Sequence, residues 1–166
     1  DGDHIVVWTA PNLSLKDRVY VGIYDADGTQ AAMTYEVTAL ASNALDFVND
    51  DQRYATVACD KDGDFVVTWT NYRGGDADIY AKRLFADGTS LDDETTAGVD
   101  EAVFRVNAYT DGGQKWSEVD MDVDGDFVIT WSSDGQEVAE GELGSGYGVY
   151  ARRYDSFGQP LAPGFR

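Results

Sequence analysis

Cysteine, histidine and positive charge are all scarce in this sequence. It holds one Cys and one His in 166 residues, and 12 Lys and Arg stand against 31 Asp and Glu, a net charge of −19. A lone cysteine allows neither a disulfide framework nor a thiolate metal cluster. Cys59 lies in the alternating stretch YATVACD, where Met121 takes the matching place in SEVDMD, and it reads as a small buried hydrophobe. A lone histidine, His4, leaves no material for a His-based general acid or a nucleophile triad. The acidic excess repels phosphate backbones and anionic lipid surfaces, which argues against nucleic acid as a partner. No apolar run approaches the length of a bilayer span, so membrane insertion is not expected. Neither an initiator Met nor a signal peptide is present, and the chain opens at Asp1 inside a motif, which reads as a piece of something longer. A sustained helical period is missing as well.

What the sequence does hold is enough apolar material for a core, at 43% hydrophobic and 13% aromatic residues, and a repeat. DGD followed by an apolar run ending in Trp begins at Asp1, Asp62 and Asp124, offsets of 61 and 62 residues. An alternating strand ending in a Gly turn recurs as VYVGIYDADG (19–28), IYAKRLFADG (79–88) and VYARRYDSFG (149–158). A shorter strand follows as YEVTA (35–39), FRVNA (104–108) and FR (165–166), and a fourth precedes two of the DGD motifs as YATVACD (54–60) and WSEVDMD (116–122). With the strands lettered a, b, c and d, the DGD turn joins a to b. The expected organisation is then an incomplete repeat b-c-d over 1–53, a full repeat over 54–115 and a third, truncated in strand d, over 116–166.

Between b and c lie 10, 9 and 17 residues; the longest gap, 132–148, is rich in Gly and Glu and reads as a surface loop. Along b, Phe65, Val67 and Trp69 share one face and Val66 and Thr68 the other, and both faces are largely apolar. That pattern predicts a sheet sandwiched between neighbouring sheets. The fold class expected is all-β: tandem four-stranded antiparallel units, propeller-blade-like, in an open array or a partial propeller, since closed propellers use about four to eight blades. The Trp that ends b and the Tyr20, Tyr80 and Tyr150 of strand c recur in every repeat, which points to core more than to a sugar-stacking platform.

These motifs resemble a family of tandem repeats of about sixty residues in large secreted bacterial proteins, with units that read D-x-DGDFVVxW, then IYARRYDxxG and a closing FRVN. The units also resemble the blades of FG-GAP-type propellers. DVDGDFVITW, VYARRYDSFG and VFRVN carry the likeness, which spans essentially the whole chain, while His4 and VYVGIYD depart from it. The resemblance implies an extracellular, non-enzymatic module, often beside calcium-binding or adhesive regions.

The aspartate rows admit two readings. DKDGD matches the first five positions of an EF-hand loop, but position six is Phe65 or Phe127 where Gly is needed, and position twelve is Asn71 or Ser133 where Glu is needed. Asp-Gly between alternating apolar runs is the signature of a tight hairpin. Calcium remains a candidate tenant of the turn, with Asp60, Asp62 and Asp64 as ligands in one repeat and Asp122, Asp124 and Asp126 in the next. Asp1 and Asp3 make a poorer site. The paired basics Lys82-Arg83 and Arg152-Arg153 are expected to pair with carboxylates across strands, with an anion clamp as the functional alternative. Asn12 in NLS is a glycosylation sequon in a surface gap. The loop acids Glu137, Glu140 and Glu142 read as solvated charges.

The leading expectation is a non-catalytic structural or adhesive repeat module of a larger secreted bacterial protein, self-associating through exposed sheet edges into filaments or a surface layer. Its location would be extracellular or at the cell surface, and no enzymatic activity is expected. The alternative is a propeller domain that binds carbohydrate or protein through its variable loops, 132–148 above all.

Overall fold

The protein, described from a computed structural model, is placed over residues 2–30, 34–38, 47–91, 103–139 and 146–162. In chain order the strands are β1 (His4–Pro11), β2 (Asp17–Tyr24), β3 (Tyr35–Glu36), β4 (Asp51–Cys59), β5 (Phe65–Arg73), β6 (Asp76–Leu84), β7 (Val103–Arg105), β8 (Gln114–Met121), β9 (Phe127–Asp134) and β10 (Tyr147–Tyr154). The remaining regular structure among the described residues is a 3-10 turn at Phe47–Asn49 and one helical turn, α1, at Gln136–Ala139. The strands form three antiparallel sheets in the orders β1-β2-β3, β4-β5-β6-β7 and β8-β9-β10. The all-β, blade-like class expected from the repeat is what forms, with strands b-c-d, a-b-c-d and a-b-c in successive sheets. Residues 165–166, read as the last strand d, lie outside the described residues.

The two a strands begin earlier than the alternation indicated, at Asp51 and Gln114. Each carries a bulge, between Arg53 and Thr56 in β4 and between Lys115 and Glu118 in β8. A bulge adds one residue against the partner strand and so shifts the alternating phase that the sequence pattern relies on.

Burial explains why the sheets stack. Every residue of β5 from Phe65 to Asn71 is buried, on both faces. Phe65, Val67 and Trp69, with Tyr80 and Leu84 of β6, pack against Val19, Val21 and Ile23 of the first sheet. The opposite face, with Val66, Ile79 and Ala81, packs against Phe127, Ile129, Trp131, Tyr150 and Tyr154 of the third. Trp and Tyr stack as neighbours in all three sheets, with ring centroids 6.0 Å apart for Trp8 and Tyr20, 6.3 Å for Trp69 and Tyr80, and 6.2 Å for Trp131 and Tyr150. In the second and third sheets these pairs are core, as expected. Cys59 is not: it closes β4 as an exposed thiol, beyond the reach of the neighbouring sheet.

The paired basics also bond from sheet to sheet. Buried Lys82 donates its Nζ to the carbonyl of Val37 in the preceding sheet at 3.0 Å, and Arg152 donates to Val106 O at 2.6 Å, the same position one repeat later. Arg83 reaches forward instead and donates to Ser156 O and Phe157 O, in the c–d turn of the third sheet. A carbonyl at a sheet boundary needs a donor once it is buried, and these cations supply it between sheets. The first sheet has Gly22 at the position of Lys82 and Arg152.

A further tie is the Tyr35 hydroxyl, which donates to Gly88 O of the second sheet at 2.7 Å. Burial, aided by the nearby Asp87 carboxylate, pushes this phenol up from 10.0 to about 12. The folded state therefore holds a proton that the unfolded chain releases near pH 10, so the contribution of this group is full below pH 10 and falls as pH rises from there towards about 12. Thermal melts across that range are expected to show an alkaline loss of stability that becomes shallower in Tyr35→Phe. An unchanged alkaline limb in that variant would refute this assignment.

Candidate functional site

The aspartates identified from the sequence build turns. Asp60 Oδ1 accepts the backbone N–H groups of Asp62 at 2.9 Å and Asp64 at 3.1 Å, and Asp122 Oδ1 does the same for Asp124 at 2.9 Å and Asp126 at 3.1 Å. Gly63 and Gly125 take the left-handed φ values of 87° and 91° that the hairpin requires. The last Asp of each row crosses to the c–d turn of its own sheet: Asp3, Asp64 and Asp126 accept from the N–H groups of Ala26, Ala86 and Ser156 at 3.1, 3.0 and 2.9 Å. Asp62 and Asp124 project outward on either side of Lys61, 3.3 and 3.6 Å from its Nζ. Among the described residues no three acidic, His or Cys side chains converge as a metal shell. One oxygen of each of these carboxylates is engaged by a backbone N–H group or by Lys61. Asp1 lies outside the described residues.

Asn12 sits at the tip of the β1–β2 hairpin, where its Oδ1 accepts from Ser14 N and Lys16 N at 2.9 and 3.1 Å. Glu137 lies on α1 and accepts the Tyr150 hydroxyl at 3.2 Å, so it is bonded and not merely solvated. Glu140 and Glu142 fall outside the described residues.

The opposite end of the sheets, where the a strands start and the b strands finish, carries a feature that the sequence reading passed over. Tyr54 and Trp116 are both 49% exposed and both have a φ of 58°. They occupy equivalent places in their repeats, each in the bulge of an a strand and each preceded by a basic residue, Arg53 and Lys115. A large side chain in the left-handed region is a conformational outlier that costs on the order of 1–2 kcal/mol, and here it occurs twice at one repeat position. The bulge of β8 is pinned to the neighbouring sheet, as Trp116 N donates to Thr70 Oγ1 at 3.1 Å.

Around these two lies a continuous aromatic surface. Trp116 packs against Tyr147, itself 53% exposed, with centroids 5.5 Å apart. Half-buried Tyr72 sits between the repeats, with the Arg53 guanidinium 5.8 Å and the Lys115 ammonium 5.9 Å from its ring centre. Burial, then the adjacent Tyr54, raises the Tyr72 phenol above its ordinary value. Acids near this end are tied into the protein: Asp50 holds Arg73 at 2.8 Å and accepts Asn71 Nδ2 at 2.8 Å, and Asp17 holds Arg53 at 2.6 Å. The signal for this surface was present as the recurring basic-aromatic dipeptides RY and KW, but simple alternation treated them as ordinary strand residues.

No family model matches the chain, and no curated protein matches it at a significant level. Solved structures do. An endo-arabinase from Bacteroides thetaiotaomicron aligns over 100% of this chain and 59% of its own, with 15% identity and a TM-score of 0.51. A protein of Parabacteroides distasonis provisionally named a glycoside hydrolase aligns over 98% of this chain and 49% of its own, at 13% identity and a TM-score of 0.48. A third, from B. thetaiotaomicron and provisionally named a glycosidase, aligns over 98% and 48%, at 12% identity and a TM-score of 0.45. The chain thus spans less than two thirds of each of these proteins.

Of these three, the endo-arabinase carries the likeness, and it is a likeness of fold. It corrects two expectations. The non-catalytic structural or adhesive module followed from the repeat resemblance, and the absence of enzymatic activity from that and from the lone histidine; a scaffold shared with an endo-arabinase overturns both as expectations.

The strain at Trp116 has a measurable consequence. Trp116→Gly relieves the left-handed backbone without opening a core cavity, because the ring is half exposed. Its melting temperature is expected to hold or rise, by up to about 1 kcal/mol in stability. A loss of stability would show the ring to be a packing residue.

Proposed function

We propose that this chain is a carbohydrate-binding segment of a β-propeller, in which Tyr54, Tyr72, Trp116 and Tyr147 stack against the faces of sugar rings. The carrying observation is the pair of exposed aromatics held at positive φ in equivalent bulges of adjacent sheets. Aromatic rings with one polar edge suit ligands that present both apolar C–H faces and hydroxyl groups. Arg53 and Lys115 at the rim add donors for ring oxygens and hydroxyls. Tyr147 opens β10, so the described end of the longest b–c gap meets this surface.

A pentose polymer of the arabinan type is the first ligand to test, by analogy with the endo-arabinase scaffold alone. The same reading carries the expectation that the protein works outside the cell.

Calorimetric titration with soluble arabinan, and with a panel of other neutral and acidic polysaccharides, is expected to find binding. Trp116→Ala and Tyr147→Ala should each weaken it roughly tenfold, about 1.4 kcal/mol, with little change in melting temperature. Release of new reducing ends from the bound polymer would add hydrolysis to binding. Failure to bind any of the panel, or full binding by the double variant, would overturn the proposal.

A further inference from the structure

The four lysines of this chain are not employed alike. Lys16 holds Asp51 at 3.5 Å, Lys61 holds Asp62 and Asp124, and Lys82 donates to the carbonyl of Val37. Lys115 bonds to no oxygen among the described residues. Its ammonium stands 5.9 Å from the centre of the Tyr72 ring, and no described carboxylate lies within ion-pair distance of it. Other cations at this end of the sheets differ in that respect: Arg18, Arg53 and Arg73 hold Glu36, Asp17 and Asp50 at 3.1, 2.6 and 2.8 Å. Where 31 acidic residues face 12 basic ones, a cation without an acid is the exception.

The position matters as much as the missing partner. Lys115 and Arg53 are equivalent in their repeats, and each directly precedes an exposed ring of the platform, Trp116 or Tyr54. Arg53 stands 5.8 Å from the centre of the same Tyr72 ring, so the two charges are no farther apart than the sum of their distances to it. Arg53 is engaged through Nε, and its two terminal amino groups bond to no described residue. An aromatic face attracts a cation without neutralising it. Tyr72 therefore positions the Lys115 ammonium with its charge and its three N–H donors still available.

We infer that the ligand of this platform is an anionic polysaccharide, and that Lys115 selects it by pairing with a negative substituent on a sugar ring, a carboxylate or a sulfate ester. The inference rests on the carbohydrate reading above and narrows its ligand class. A sugar hydroxyl can accept one N–H of the half-buried ammonium but leaves its charge uncompensated, whereas an anion meets both needs. The net charge of −19 opposes an acidic polymer only at long range. At about 0.15 M salt, screening sets in over roughly 8 Å. The aspartate rows lie at the far end of strands of eight or nine residues, well beyond that length, and Asp17, Asp50 and Asp51 at the near end are already paired.

Calorimetric titration at that salt concentration, with each acidic polymer set against its own neutral form, tests the inference. Polygalacturonate is compared with its methyl ester, and dextran sulfate with dextran, which separates carboxylate from sulfate as the recognised group. At least one acidic form is expected to bind about fivefold more tightly than its neutral counterpart, the upper range for an exposed ion pair. That ratio should fall towards one in Lys115→Gln and persist in Lys115→Arg, a pattern that loss of packing alone would not produce. Neutral forms that bind as well as the acidic ones overturn this inference and leave the carbohydrate reading standing. An acid preference that survives Lys115→Gln overturns it too. Failure of every polymer in both forms overturns the carbohydrate reading and this inference with it.

Discussion

A sheet of three or four short strands with apolar residues on both faces cannot satisfy itself. One hydrophobic face can be buried only against another layer, and a small isolated sheet is marginal in water. In this protein the constraint is most acute at β5, where Phe65, Val67 and Trp69 turn one way and Val66 and Thr68 the other, all of them buried. Burying a large apolar side chain stabilises by roughly 1.5–3 kcal/mol, so covering only one side of β5 would leave several such contributions unrealised. Stacking of successive sheets follows from that requirement, and the remaining devices serve it. Lys82 and Arg152 provide donors to carbonyls that stacking has removed from water, and Arg83 ties a sheet to the turn of the next.

The aspartate rows belong to the same scheme at smaller scale. The first Asp organises the a–b turn, Gly supplies the left-handed step, and the last Asp reaches the c–d turn beside it. Both turns of a sheet are thus locked together at one end. The middle position is left in solvent, where Lys61 moderates the crowding of Asp62 and Asp124. Much of the acidity that suggests a metal is explained by this geometry.

Most of this architecture could be read before any coordinates, because repetition exposes it. The return of DGD and its Trp-ended strand located the hairpins, and the double-faced apolar pattern of β5 called for neighbours on both sides. What escaped was whatever depends on contacts between repeats. Lys82 and Arg152 bond to carbonyls, which no residue pattern displays. Cys59 lies at a strand end, where alternation no longer reports burial. Tyr54 and Trp116 sit at bulges, where the phase slips and alternation no longer reports which way a residue points. The expectation of a purely mechanical role came from resemblance of repeats, and repeats describe how a scaffold is assembled, here one whose fold is shared with an endo-arabinase.

Tyr54 and Trp116 occupy the same place in adjacent repeats, so their spacing is inherited from the pitch of the sheet stack and not from any flexible loop. A left-handed bulge sets each ring, and the bulge of Trp116 is bonded to the neighbouring sheet as well. A ligand that engages the two together has to present suitable ring faces at the same interval. On the proposed carbohydrate reading the platform would act as a ruler, suited to polymers whose own repeat matches the stacking distance more than to a single sugar.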